Sequence, residues 1–407
     1  MRQLTVSNVQ AIKKFGLWAA LLLAFSIPFP LRINSIAVVT FFSLFAVLTI
    51  TQGDIRKEFM TSPVALLITL LFLIVVVGLL HTSDMQQGIR DIERSAFLIA
   101  LLIIVYQLRN LGISAFRVMF SFTTACIVLT FYGLVVTFLN DKQQRILELG
   151  HASFPENISI HPTYLSVYLI FIFYFLLETL RKKRIELNKF STYGIISILI
   201  YVVVLLVFLR SQMALLIFTM LFIVYIVIIF KKRAWLVTFT LFTIGFLVFL
   251  LDSKRVVTFF DTYGKNVSTA LDQRFFVWEG AIEGIKSHGF FGAGTGSEQL
   301  LISEGYAKTG YQEGIANSYN AHNQYLQFLA RNGAIELGCF LALLVYSFRQ
   351  SLKMSNYIFL MFNMTVTLVM FTESFLDVQR GIVFFYFFTC VFIYLPYDSS
   401  PDQAKSV

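Results

Sequence analysis

One short run, Tyr319-Asn320-Ala321-His322-Asn323-Gln324-Tyr325-Leu326, sets a histidine among amides at the end of the longest polar stretch of the chain, just before an apolar helix. Upstream in the same stretch lies Arg274, in Arg274-Phe275-Phe276-Val277-Trp278-Glu279. A guanidinium binds phosphate oxygens in pairs and keeps its charge when desolvated. A helix N-terminus and nearby arginines disfavour an imidazolium, which suits His322 to accept a proton from a sugar hydroxyl. Together the two groups suit a displacement in which a diphosphate departs and a hydroxyl attacks. Each also has a plainer reading. An arginine at a span end snorkels or pairs with an acid, and a histidine at a helix start caps it.

Further candidates lie near predicted span ends. Arg210 sits at the turn between two apolar runs, and Arg380 precedes the last one, with Glu373 and Asp377 close enough in sequence to pair with it. His161 opens a span in His161-Pro162-Thr163-Tyr164, where the proline pre-sets the first helical turn. Asn323 stands beside the histidine. We expect Arg210, Arg274, His161, Asn323 and Arg380 to contact the diphosphate or sugars, and His322 and Arg274 to act in catalysis. Gly292-Ala293-Gly294-Thr295-Gly296 has no following Lys-Ser/Thr and so is no Walker loop; a tight turn is expected. Asp91 and Glu93, flanked by Arg90 and Arg94, read as a solvated helix start rather than a metal pair. The three cysteines, all in apolar segments, give no metal or disulfide spacing. No metal and no cofactor are expected.

These groups must be held by membrane helices. Of the 407 residues, 57% are hydrophobic and 14% charged, against about 25% charged in soluble domains. The apolar runs do not alternate, which argues against a β-barrel. The fold class is all-α and polytopic. We read about twelve spans, near 16–31, 34–50, 63–81, 95–108, 118–139, 162–180, 192–209, 211–230, 234–251, 333–348, 356–372 and 381–396. The net charge of +9 falls in short clusters such as Arg181-Lys182-Lys183-Arg184 and Lys231-Lys232-Arg233. Such clusters orient spans and touch anionic headgroups; they are not a nucleic-acid signature. With both termini inside, the dense clusters fall inside and the long segment 252–332 falls outside. Its end should form a helix over about 323–331 that Gly333 breaks. The expected organisation is a bundle over 1–251, a periplasmic segment over 252–332 bearing catalytic elements and short helices, and further spans with a short tail over 333–407.

The chain resembles the O-antigen ligase and polymerase superfamily of bacterial membrane proteins. The resemblance rests on His161-Pro162-Thr163-Tyr164, Arg274 with Trp278-Glu279, Gly292-x-Gly294-x-Gly296, His322-Asn323-Gln324-Tyr325-Leu326 with Gly333, and Thr372-Glu373-Ser374 with Gln379-Arg380-Gly381. These cover most of the C-terminal half, whereas the first 150 residues match only in hydrophobic pattern. The resemblance implies a GT-C-like fold and a metal-independent inverting glycosyltransferase working at the periplasmic face of the inner membrane. The implied donor is a glycan on undecaprenyl diphosphate. The implied acceptor is lipid A–core for a ligase, or a lipid-linked repeat unit for a polymerase. The implied key groups are an arginine near the end of a middle span, Arg274 and His322. In one respect the chain departs from the pattern. Relatives often read Ser-Arg before the eighth span, whereas this chain reads Leu209-Arg210-Ser211-Gln212, with Gln212 in the usual arginine's place. A lipid-linked glycan transporter fits less well, because transporters bury ionisable groups at the midplane and here they collect at span ends.

Overall fold

The computed structural model describes residues 6–52, 61–140, 153–183, 187–209, 211–230 and 270–397. Apolar runs bounded by capping residues make helices, numbered here in chain order. They are α1 Val6–Ser26, α2 Leu31–Gln52, α3 Pro63–Val77, α4 Met85–Asn110, α5 Ala115–Asn140, α6 Ser153–Asn157, α7 Pro162–Lys183, α8 Lys189–Phe208 and α9 Gln212–Phe230. The series continues with α10 Ala270–His288, α11 Glu298–Thr309, α12 Gln312–Ala316, α13 Gln324–Lys353, α14 Tyr357–Met370 and α15 Gln379–Tyr394. The start signals are local. Ser62 caps α3 ahead of Pro63, Asp84 Oδ1 accepts the Gln87 amide to cap α4, and Asn323 and Asn356 cap α13 and α14. Each cap satisfies amides that a helix start leaves unpaired.

Among the described residues, six helices are long and apolar enough to cross a membrane: Pro63–His81, Ala115–Asn140, Pro162–Lys182, Lys189–Phe208, Gln212–Ile229 and Gln324–Lys353. Four shorter apolar stretches, Lys14–Ser26, Leu31–Val47, Tyr357–Met370 and Gln379–Tyr394, accompany them. The chain is a helical membrane protein, although its described residues do not give the expected count of twelve spans. The ninth expected span, 234–251, lies outside them. The fourth, expected over 95–108, belongs to α4, which begins at Met85 and carries charged residues along its first turns.

The core of the bundle is aromatic. Phe122, Phe171, Phe362, Phe384, Phe388 and Phe392 stack edge-to-face or tilted between α5, α7, α14 and α15. Helix α7 is central, with 83% of its apolar window buried, whereas α8 buries 22% and turns most of its surface outward. Among lipid tails, dispersion and shape rather than water exclusion hold such helices together. A second, smaller core joins α10, α11 and the loop before α13 through Val277, Ala281, Leu301, Ile302, Tyr306 and Ala321.

Helix α13 is two helices across a kink. Asn332 has φ −122° and Gly333 φ +66°. A Cβ at Gly333 would lie 1.9 Å from the Phe290 carbonyl oxygen, so only glycine fits both the left-handed backbone and the close approach. The break falls where the sequence places it, between the expected helix 323–331 and the following span.

Candidate active site

The starts of α7, α10, α13 and α15, at or beside which the described candidate residues lie, meet at one end of the bundle. Arg274 projects from the first turns of α10 and His322 from the loop leading into α13. Between them lies Glu373, in the connection from α14 to α15. One carboxylate serves both groups. Glu373 Oε1 is 3.3 Å from Arg274 Nη2 and Oε2 is 3.4 Å from His322 Nδ1. Arg274 Nη1 also donates to the Thr372 carbonyl at 2.6 Å, which fixes the guanidinium against the α14–α15 connection. At 3.4 Å the imidazole contact is at the long end of a hydrogen bond. Burial alone would raise the Glu373 carboxyl. The hydrogen bond from His322 and the charges of His322, Arg274 and His161 outweigh burial and hold it below the ordinary carboxylate value.

The backbone aims His322. Its φ of +42° lies in the left-handed region, uncommon for a residue with a Cβ and frequent where function holds a conformation. Its amide donates to Asn320 Oδ1 at 3.0 Å, the Tyr319 ring lies edge-on to it, and its side chain stays 38% exposed. An imidazole oriented by a carboxylate on one nitrogen can take a proton on the other, and the carboxylate then stabilises the cation that forms.

The remaining candidates sort clearly. His161 opens α7, with Nδ1 accepting from the Thr163 amide at 3.4 Å and its ring edge-on to Tyr164; its charge reaches Glu373. Arg380 is buried in the first turn of α15, and its Nε has no hydrogen-bond partner among the described residues. It forms no ion pair there with the two acids near it in sequence, because Glu373 faces Arg274 and His322 while Asp377 accepts from Gln324 Nε2 at 3.3 Å. Asn323 spends its Oδ1 on the Tyr325 and Leu326 amides as the α13 cap, so its role here is to seat the histidine. Arg210 lies outside the described residues.

One expectation is overturned and another is extended. Asp91 is not solvated: it is buried, accepts from Gln87 Nε2 at 2.9 Å and pairs with Arg94 at 3.1 Å, while Glu93 faces outward on another side of α4. The glycine run does turn, the Ser297 amide donating to the Gly294 carbonyl at 3.1 Å, and it is also a thread between α13 and α4. Its amides are taken by protein carbonyls, Ala293 to Ala330, Gly294 to Arg331 and Thr295 to Gly78, and a Cβ at Gly296 would meet the Gly88 amide nitrogen at 2.3 Å. Those amides are closed to an anion. What sequence reasoning missed is Glu373 as the shared partner. It stands in the quoted Thr372-Glu373-Ser374 run, but 51 and 99 residues separate it from His322 and Arg274.

The comparison with curated proteins gives no match. Residues 195–341 match the O-antigen ligase family model, a stretch that holds both Arg274 and His322. That match, in a chain of apolar helices, supports the O-antigen ligase and polymerase superfamily.

Proposed function

We propose that the chain is an inverting glycosyltransferase of the O-antigen ligase type, moving a glycan from undecaprenyl diphosphate to a sugar hydroxyl of lipid A–core at the periplasmic face. The observation that carries the reading is Glu373 between Arg274 and His322. In the proposed step His322 removes the acceptor hydroxyl proton as the oxygen attacks the anomeric carbon. The bond from that carbon to the diphosphate oxygen breaks with its electron pair. Arg274 stabilises the charge left on the diphosphate, and Glu373 orients the ring and steadies the imidazolium. One displacement inverts the configuration, and the activated donor supplies the driving force. Arg380 and His161 stand on the same side, where they support a place for the diphosphate. Sidedness is supported by α7, which runs from His161 at the site to Arg181 and Lys182 at the opposite end.

Losing the base or the phosphate-binding arginine should lower transfer by on the order of 10²–10⁴. Normal glycan transfer by both His322→Ala and Arg274→Ala, in a deletion strain with matched protein levels, would overturn the reading. A polymerase would use the same donor chemistry on a lipid-linked repeat unit. The deletion strain separates the two: a bare core marks a lost ligase, single repeats on the core a lost polymerase.

A further inference from the structure

A cavity of about 660 Å³ opens beside the catalytic groups, lined by α4, α11, the first half of α13 and the α14–α15 connection. Its size falls within the roughly 300–1,000 Å³ of small-molecule sites. It shares a wall with the site. Asn320, which holds the His322 amide, lines it, as does Gln327, whose Oε1 accepts from Ala321. Arg274, His322 and Glu373 do not line it.

The chemistry of the lining is opposite to that of a phosphate site. Asp84, Asp91, Glu298, Glu336 and Asp377 bring five carboxyls, against the guanidiniums of Arg94 and Arg331. Both cations are engaged, Arg94 with Asp91 at 3.1 Å and Arg331 with Glu336. A second observation points to a ligand. Asp91 is 4% exposed, yet its Oδ2 has no hydrogen-bond partner among the described residues. A buried, unmatched carboxylate oxygen is costly unless something donates to it. Gln87 and Gln299 add amides to the same lining. No three His, Cys, Asp or Glu side chains among the described residues are grouped to hold a metal ion, so the natural donors are hydroxyl or amine hydrogens. The burial that forms this acidic wall also pushes the Glu298 carboxyl up to about 8 and that of Asp377 to about 6, each with Arg331 pulling the other way. Near pH 7 Glu298 therefore holds its proton while Asp377 stays largely ionised, and a further anion brought here would meet the Asp377 charge.

Resting on the glycosyltransferase reading above, we propose that this cavity is the acceptor subsite, which binds the reacting sugar of the acceptor as a neutral or amino sugar and excludes uronic acids and phosphorylated sugars. The two substrates are thereby sorted by charge: the diphosphate goes to the arginine side of His322, and the hydroxyl-rich, uncharged ring goes to the carboxylate side.

The test uses the full chain, purified into lipid nanodiscs. Saturation-transfer NMR is recorded with methyl glucoside, methyl glucosaminide and methyl glucuronide, with Asp91→Asn and Leu300→Trp as variants. Leu300 lines the cavity and is half exposed, so the tryptophan fills the space without disturbing a core. Signals from the neutral or amino glycoside but not the glucuronide, lost in both variants and kept in His322→Ala, are expected. In the transfer assay both variants should raise the KM for acceptor by about tenfold or more, leaving the KM for donor within about twofold. Equal binding of the glucuronide, or sugar signals unchanged in both variants, overturns the proposal. So does a rise in the donor KM instead of the acceptor KM, which would assign the cavity to the donor glycan. If His322→Ala and Arg274→Ala retain full transfer, the catalytic reading fails instead; the NMR outcome is independent of that.

Discussion

Glu373 divides one carboxylate between a guanidinium and an imidazole, and the consequences are separable by mutation. Glu373→Gln keeps the shape but removes the charge that steadies a protonated His322. We expect transfer to fall by on the order of 10² or more, with the KM for donor nearly unchanged and the pH profile of kcat displaced. A loss equal to that of Glu373→Ala with an unchanged profile would argue against a charge role. Glu298 makes a stability prediction. Its carboxyl is raised from 4.5 to about 8, burial being the main cause. Between those values the folded protein holds a proton that the unfolded chain does not, so this group's contribution to stability falls as pH rises through that window. Glu298→Gln should flatten the decline in melting temperature from about pH 5 to pH 8. An unchanged slope in the variant would rule this out. His322 and Arg274 were singled out by residue type, position and the family resemblance, and they meet at one carboxylate. Their partner was not legible, because charge pairing across helices depends on packing that no local spacing encodes.

At the scale of elements, the kink at Asn332 and Gly333 connects the first half of α13 to the more apolar half that follows. Arg331 and Asn332 both donate to Glu336, and Asn332 also reaches Thr295, whose hydroxyl donates to the Val75 carbonyl at 2.8 Å. Gly333→Ala forces a Cβ into the Phe290 carbonyl and strains the backbone. A loss of roughly 1–3 kcal/mol for the left-handed φ, with more for the clash, should appear as a lower melting temperature and reduced yield; an unchanged melting temperature would refute it. The break was legible because glycine follows an amphipathic stretch and precedes an apolar one. The turn at the glycine run was legible, but its packing was not, because that constraint comes from α4 and α13, distant in sequence. The reach of α4 back to Met85 was hidden by Arg90, Asp91, Glu93 and Arg94, whose charges broke the hydropathy signal although the helix continues through them.

At the scale of the whole molecule, the aromatic bundle was legible from composition, since runs this long and apolar have no aqueous alternative. The number of crossings was not, because short apolar helices and long ones read alike in hydropathy. Sidedness is open to direct measurement: single cysteines at Ser318 and at Lys182, in a background lacking Cys126, Cys339 and Cys390, should react with an impermeant maleimide from opposite faces. Labelling of both from the same face would refute the orientation. One more consequence follows from the glycine thread. With Ala293 to Thr295 sewn by their amides into α13 and the end of α3, helices α10 and α11 are stitched to the bundle rather than perched upon it. Their own small core gives them little to stand on. Residues 270–332, excised and expressed alone, should therefore give the circular dichroism and proton spectrum of an unfolded peptide, and grafting this segment onto a foreign bundle should fail for want of the seam that receives it.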